Sequence, residues 1–270
     1  MKVHHLDCGP MRPHGGRLLD GQPGLLRRAE LVCHCLLLET DSGLVLVETG
    51  MGTPAVHRPA EWLGARFTRL TNPVPDESRT AVAQIRALGH DPRDVRHIVL
   101  THLDLDHAGG LVDFPDASVH VNERELRALS DPRYRPIQFE HGPRWAAHGS
   151  IGEPWFGFES VRELPGLGSQ ILLVPLAGHT PGHAGVAVDT GDGWLLHAGD
   201  SYFHPGELDP VRPYCPPALA LFESIMQTER DQRLANQTRL RDLVAVHDEV
   251  TVFSAHNALE FRRLAMRSRV

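Results

Sequence analysis

Residues 101–110 read THLDLDHAGG and directly follow the apolar run HIVL at 97–100. Two histidines and two aspartates, His102, Asp104, Asp106 and His107, thus fall within six positions at the end of a segment that reads as a buried strand. A charge-rich run ordinarily forms a solvated loop, but the spacing argues against that here. In an extended segment side chains alternate sides, so His102, Asp104 and Asp106 are expected to share one side while Leu103 and Leu105 enter apolar packing. A turn at Ala108-Gly109-Gly110 then lets Asp106 and His107 aim at a second point beside the first. One short segment can thereby serve two adjacent metal ions, His102 with Asp104 and Asp106 with His107. Neutral imidazole and carboxylate are ligand types that Zn, Mn and Fe accept.

A chain of 270 residues can bury a substantial core. With no Pro/Gly-rich linker, low-complexity tract or internal repeat, one domain over 1–270 is expected. The formal charge of -7, from 34 acidic and 27 basic residues, comes without a basic block that could track phosphates, which argues against nucleic acid as a partner. The start, MKVHHLDCGPM, lacks the apolar stretch of a secretory signal, and no run approaches a membrane span, so a soluble, cytoplasmic protein with no membrane partner is expected. Nothing in the sequence speaks to oligomeric state. Cys8, Cys33, Cys35 and Cys215 form no C-x-x-C pair or zinc-finger spacing and are given no chemistry.

Around the motif, strand and helix patterns alternate. LVCHCLLLET and GLVLVETG flank a DSG turn and read as a hairpin over 31–48. DESRTAVAQIRALGH has helical spacing, HIVLTH and SVHV read as strands, and NERELRALS reads as a short helix opened by Asn122. ILLVPLAGH, then a hairpin AGVAVDTGDGWLLHAGD turned at TGDG, then helices over 217–247, then VTVFSAHN complete the series. Residues 131–168, rich in Pro, Gly and aromatics, are expected to form a long lid or pocket loop, with Trp155, Phe156 and Phe158 as either substrate wall or packing. Alternating sheet and helix blocks suggest an α/β layered sandwich.

Three further apolar strands close on a ligand-type group: LLVPLAGH at His179, WLLHAGD at Asp200 and VTVFSAH at His256. Ends of strands in one sheet lie near one another, so residues far apart in sequence can converge there.

HLDLDH (102–107), GHTPGH (178–183), AGD (198–200) and SAH (254–256), in this order, resemble the metallo-β-lactamase superfamily of metal-dependent hydrolases over nearly the whole chain. ETGMG at 48–52 after the hairpin, LGHDPRDV at 88–95 and THLDLDHAGG are most similar to N-acyl-homoserine lactonases. The resemblance implies a four-layer αββα sandwich and two divalent metal ions, with Zn the first expectation. It implies that His102, Asp104 and His179 hold one ion, that Asp106, His107 and His256 hold the other, and that Asp200 bridges. A hydroxide between the ions would then open a lactone or carboxylic ester, the implied small-molecule substrate, because bound metal lowers the pKa of water from 15.7 to about 7. Asp106 and Asp200 would be its catalytic carboxylates.

Two departures from the family pattern stand out. Asp104 replaces the usual His, which adds a negative charge, hardens the ligand set and admits Mn or Fe. On this reading Asp104→His should preserve binding and shift preference toward Zn. The tyrosine that lactonases place three residues after the bridging aspartate is Phe203 here, with Tyr202 one residue earlier, so Tyr202 is a candidate for either a catalytic donor or a rim residue. His183 is expected to support its loop by hydrogen bonding, His197 to be a buried satisfied imidazole, and Glu48 to accept from a ligand imidazole; His4, His5, His14 and His34 have no partner that the sequence names. Alternatives are a thioesterase of the hydroxyacylglutathione hydrolase type, for which RRLAMRSRV offers basic residues, an iron-dependent redox or dioxygenase enzyme suggested by Asp104, and a non-catalytic binding module.

Overall fold

The computed structural model describes residues 1–41, 43–149 and 151–267, so the last three residues of RRLAMRSRV lie outside it. Strands β1 (Lys2–Asp7), β2 (His34–Thr40), β3 (Gly43–Val47), β4 (Val95–Val99), β5 (Ser118–Asn122) and β6 (Arg144–His148) form one six-stranded sheet in sequence order. The second sheet, also six-stranded, runs β12-β11-β10-β9-β8-β7, from β7 (Glu153–Trp155), β8 (Phe158–Leu164), β9 (Gly168–Pro175), β10 (Ala184–Asp189), β11 (Trp194–His197) and β12 (Val250–Phe253). Both are mixed: β3 to β6 pair in parallel, as do β11 and β12, and the other pairs are antiparallel.

The period-2 alternation of strand side chains builds the layers. In β2, Leu36 and Leu38 enter a cluster that also holds Ile171 and Leu173 of β9 and Val186 and Val188 of β10, so the two sheets pack face to face. Cys35 and Leu37 point the other way, onto Ala81 and Ile85 of the helix Ala81–Ala87. On the far side, Leu172, Val174 and Ala187 meet Leu240 and Leu243 of the helix Arg230–Val246. Sheet on sheet, each covered outside by helix, is the expected four-layer αββα sandwich.

Most expected elements lie where the patterns put them, including the helix Glu123–Arg127, whose Asn122 cap accepts from the Arg124 amide. The expectation of a lid or pocket loop over 131–168 is corrected for its later part: 131–143 is irregular apart from one short 3-10 turn, whereas from 144 to 164 the chain supplies β6, β7 and β8, with Ser150 outside the described residues. The aromatics of that stretch are not a wall of the ligand cluster. Phe158 is buried in the core, while Trp155 meets Trp194 and Phe156 meets His247, at the starts of β11 and β12 and so at the opposite end from the ligands. Among the described residues, no helix is long and apolar enough to cross a membrane.

Candidate metal centre

Strand direction brings the polar ends together. β3 and β4 are parallel, as are β11 and β12, so Glu48, His102, Asp200 and His256 all leave the C-terminal ends of their strands. β9 reaches the same edge before the loop that carries His179. Backbone bonds stitch the two sheets here: Ala184 N–H donates to Thr101 O at 2.9 Å, and His34 N–H donates to Ala255 O at 2.9 Å.

The 102–107 segment bends differently from the simple alternation expected. It is extended through Asp104 and then turns, with the His107 and Ala108 amides both donating to Asp104 O at 3.0 Å. His102 and Asp104 therefore serve one side, and Asp106 and His107 the other. The glycines that follow allow the backbones of two loops to touch. A Cβ on Gly109 would sit 2.6 Å from Met51 O and 2.5 Å from Leu105 O.

Two groups of atoms result. In the first, Asp104 Oδ2 lies 3.3 Å from His102 Nε2 and 3.1 Å from His179 Nε2, and Asp200 Oδ2 lies 3.8 and 3.4 Å from the same two nitrogens. In the second, Asp200 Oδ1 lies 3.4 Å from His107 Nε2 and 3.2 Å from His256 Nε2, which are themselves 3.2 Å apart. Asp106 completes that group, with Oδ2 3.6 Å from His256 Nε2 and Oδ1 4.0 Å from His107 Nε2. A tetrahedral ion with ligands at about 2.0–2.1 Å has ligand-to-ligand edges of roughly 3.4 Å. Both groups have edges close to that length, and Asp200 offers one oxygen to each.

Donor chemistry agrees with a pair of cations. His102 Nε2 and Asp200 Oδ1 are buried without a hydrogen-bond partner, which native interiors rarely leave unexplained. Three of the four ligand imidazoles have their Nδ1 held: His107 Nδ1 donates to Glu48 Oε2 at 2.6 Å, His256 Nδ1 to Val32 O at 2.7 Å, and His102 Nδ1 lies 2.9 Å from Thr101 Oγ1. Such outer partners fix the tautomer that turns the Nε2 lone pairs toward the cluster. Burial, reinforced by His107, holds His102 well below the usual histidine range and so in the neutral form that binds metal. Burial opposes ionisation of Asp200, yet His256 and His107 outweigh it; the carboxylate in turn pushes both imidazoles up, His256 to about 9, so that without metal they carry the positive charge that a cation bound there would replace.

Two buried glutamates organise the groups. Glu48 accepts from His107 and from the Thr101 amide, from a backbone at φ 62°, the positive region that costs a non-glycine residue free energy. Glu125 Oε1 accepts from Leu103 N–H at 3.0 Å and Tyr134 O–H at 2.6 Å; its Oε2 accepts from Thr180 O–H at 2.8 Å and Gly182 N–H at 2.9 Å. Glu125 thus ties together the loops carrying His102, Asp104 and His179. His183 supports its surroundings as expected: Nδ1 donates to Leu176 O and Nε2 accepts the Asp200 amide at 2.9 Å. Glycine at 199, with φ 54°, permits this approach, since a Cβ there would lie 2.5 Å from His183 Nε2. His197 is fully buried and donates to His34 O at 2.6 Å.

All seven expected ligand residues converge, but Tyr202 does not join them. It is fully buried in the apolar cluster beneath the helix Arg230–Val246, and its hydroxyl donates to Glu260 Oε1 at 2.9 Å. This corrects both readings of Tyr202, since the residue is not at a rim and its hydroxyl is already committed. Phe203 takes the position against the ligands, stacked on the His256 ring at 5.4 Å and 12° and meeting Phe222 edge-on at 5.5 Å. We expect Tyr202→Phe to lower folding stability by roughly 1–3 kcal/mol, the worth of a buried bond to a carboxylate, and to leave turnover intact. Denaturant melts and steady-state rates check this; lost turnover at unchanged stability would assign the hydroxyl to the reaction.

Three residues had no functional reading in the sequence. Arg133 lies against Asp104 and His179, Glu125 is described above, and the Cys33 thiol lies within 4.8 Å of ligand atoms of Asp106 and His256. Of the remaining histidines, His4 pairs with Glu39 and His5 with His34.

An αββα sandwich with convergent imidazoles and carboxylates at its strand ends defines a class of metal-dependent hydrolases. The chain belongs to the metallo-beta-lactamase superfamily, whose model matches residues 28–256. It is 43% identical over 265 residues to the "Probable metallo-hydrolase Rv2300c" of Mycobacterium tuberculosis, covering 95% of this chain and 80% of that one. An N-acyl homoserine lactonase of Bacillus cereus is 31% identical over 156 residues, 58% of each chain. Among solved structures, an N-acyl homoserine lactone hydrolase with N-hexanoyl-L-homoserine bound at its catalytic metal centre is similar at TM-score 0.72 and 22% identity, covering 97% of this chain and 95% of that one. AidC, a dizinc quorum-quenching lactonase, is similar at TM-score 0.61 and 19% identity, covering 94% of this chain and 86% of that one.

Proposed function

We propose that this metallo-hydrolase opens an ester-type carbonyl, a lactone before an open-chain ester, with an N-acyl-homoserine lactone as the leading substrate. The observation that carries the reading is Asp200, whose two oxygens are divided between two ligand groups of tetrahedral dimensions. His102, Asp104, His179 and Asp200 would hold one divalent ion, and Asp106, His107, His256 and Asp200 the other. Ions held there supply an acidified water as nucleophile and a Lewis acid for the carbonyl oxygen. Zn suits the four imidazoles, and the carboxylate at 104 extends the range to Mn and Fe.

The chain's own residues do the rest. Asp200 fixes the spacing of the two groups, Glu48 and Glu125 hold the ligand loops, and Phe203 covers the His256 ring with apolar surface. Tyr202 has no part in this mechanism. The acyl portion of a substrate would run from Phe203 along Phe222 and the exposed Leu221 and Ile225 of the helix Pro217–Met226. That surface replaces the 154–158 stretch as the apolar wall. Support for a lactone comes from the lactonase names among the relatives.

A panel of lactones, open-chain esters and thioesters, assayed with metal-replete protein, tests this reading. Hydrolysis should be fastest for lactones and should rise with acyl length, since each buried CH₂ contributes roughly 0.8 kcal/mol. Activity on thioesters alone would reassign the substrate, and oxygen consumption without hydrolysis would replace the reading with iron chemistry.

A further inference from the structure

The two ligand groups have the same composition: two imidazoles, one carboxylate of their own and a share of Asp200. Their own carboxylates are held differently. Asp104 is clamped by an arginine, with Arg133 Nε donating to Oδ1 and Nη2 to Oδ2. The pair is buried, with side chains 12% and 11% exposed. Arg133 Nη2 also lies 2.7 Å from His179 Nε2, the lone pair a cation would use, and Nη1 donates to Met226 O. The segment that delivers the guanidinium is itself fixed, through Tyr134 O–H on Glu125 and Arg133 N–H on Asp131 Oδ1 at 2.8 Å.

We propose that Asp104 and Arg133 act as a single neutral ligand unit, in which the arginine both positions the carboxylate and cancels its charge, so that neither residue can be exchanged alone. The inference rests on the proposed metal centre. A buried guanidinium that loses its carboxylate is an uncompensated charge, which is strongly unfavourable. Here that charge would stand against a ligand nitrogen and repel the incoming cation. Asp104→His, although it supplies a good ligand, should therefore fail by itself, contrary to what the sequence alone suggests. Arg133 is accordingly a positioning residue that acts through Asp104.

The test is a double-mutant cycle read by metal binding rather than turnover. Zn is titrated into metal-free wild type, Asp104→His, Arg133→Met and the double variant Asp104→His/Arg133→Met, and binding of each ion is followed by calorimetry. We expect wild type to bind two ions and Asp104→His to bind its weaker ion about 10- to 100-fold less tightly, the range seen when a partner of a ligand is lost. The double variant should recover that ion. Should Asp104→His accumulate unfolded, recovery of a cooperative thermal melt in the double variant reads the same rescue. Two ions bound by Asp104→His at wild-type affinity would overturn the inference, as would a double variant no better than the single one or one that also fails to fold. Wild type that binds fewer than two ions would instead remove the metal centre itself, and this inference with it.

Discussion

Asp200→Ala should abolish tight binding of both ions and lower kcat/KM on the best substrate by on the order of 10³-fold or more. Each unit of 1.36 kcal/mol in the barrier is a factor of ten, and two ions contribute several kcal/mol of charge stabilisation. No other ligand carboxylate faces both groups. Asp200 Oδ2 is within 3.8 Å of both nitrogens of the first group and Oδ1 within 3.4 Å of both nitrogens of the second. Truncating any other ligand should weaken chiefly one ion. Metal titration and steady-state kinetics on the same preparation check the claim, with circular dichroism confirming the fold. An Asp200→Ala protein that still binds one ion at wild-type affinity would show that the carboxylate does not serve both groups.

Glu125→Ala should act at a distance and on one ion. The carboxylate accepts four bonds, and the substitution strands the Leu103 and Gly182 amides in a site that is fully buried. Each stranded buried donor costs roughly 1–3 kcal/mol, so a loss of about 2–6 kcal/mol in folding stability is expected. Leu103 lies between His102 and Asp104, and Thr180 and Gly182 follow His179. Tyr134, next to Arg133, hangs on the same carboxylate. The first ion should therefore bind about 10- to 100-fold more weakly, while the second, whose ligand His107 hangs on Glu48, is retained. Denaturant melts combined with metal titration separate the two effects; equal weakening of both ions would refute the assignment of Glu125 to one loop system.

The ligand residues were legible because each closes a recognisable apolar strand with a group of ligand type, and because strand ends converge in any sheet built from parallel pairs. The layers were legible for the same reason: strands such as β2 and β9 bury both faces and read as continuous apolar runs. β6 to β8 were not. β6 and β7 are edge strands, and the pattern of β8, buried at Phe158, Val161 and Leu164 with polar residues between, has no clean period of two. Arg133 sits in a proline-rich turn, 29 positions from Asp104 and 46 from His179, and no local signal marks so distant a partner. Glu125 occupies the first turn of a short helix, where an acidic residue ordinarily faces water; tertiary packing of the 180–182 loop buries it. Tyr202 and Phe203 show how a one-residue offset exchanges which side chain faces the ligands.

The central claim is that one chain holds two divalent ions that share Asp200. Elemental analysis of protein reconstituted with Zn, after removal of excess metal and against an accurately determined chain concentration, tests it most directly. The account predicts two ions per chain for wild type. A single ion, or only trace metal, would contradict it.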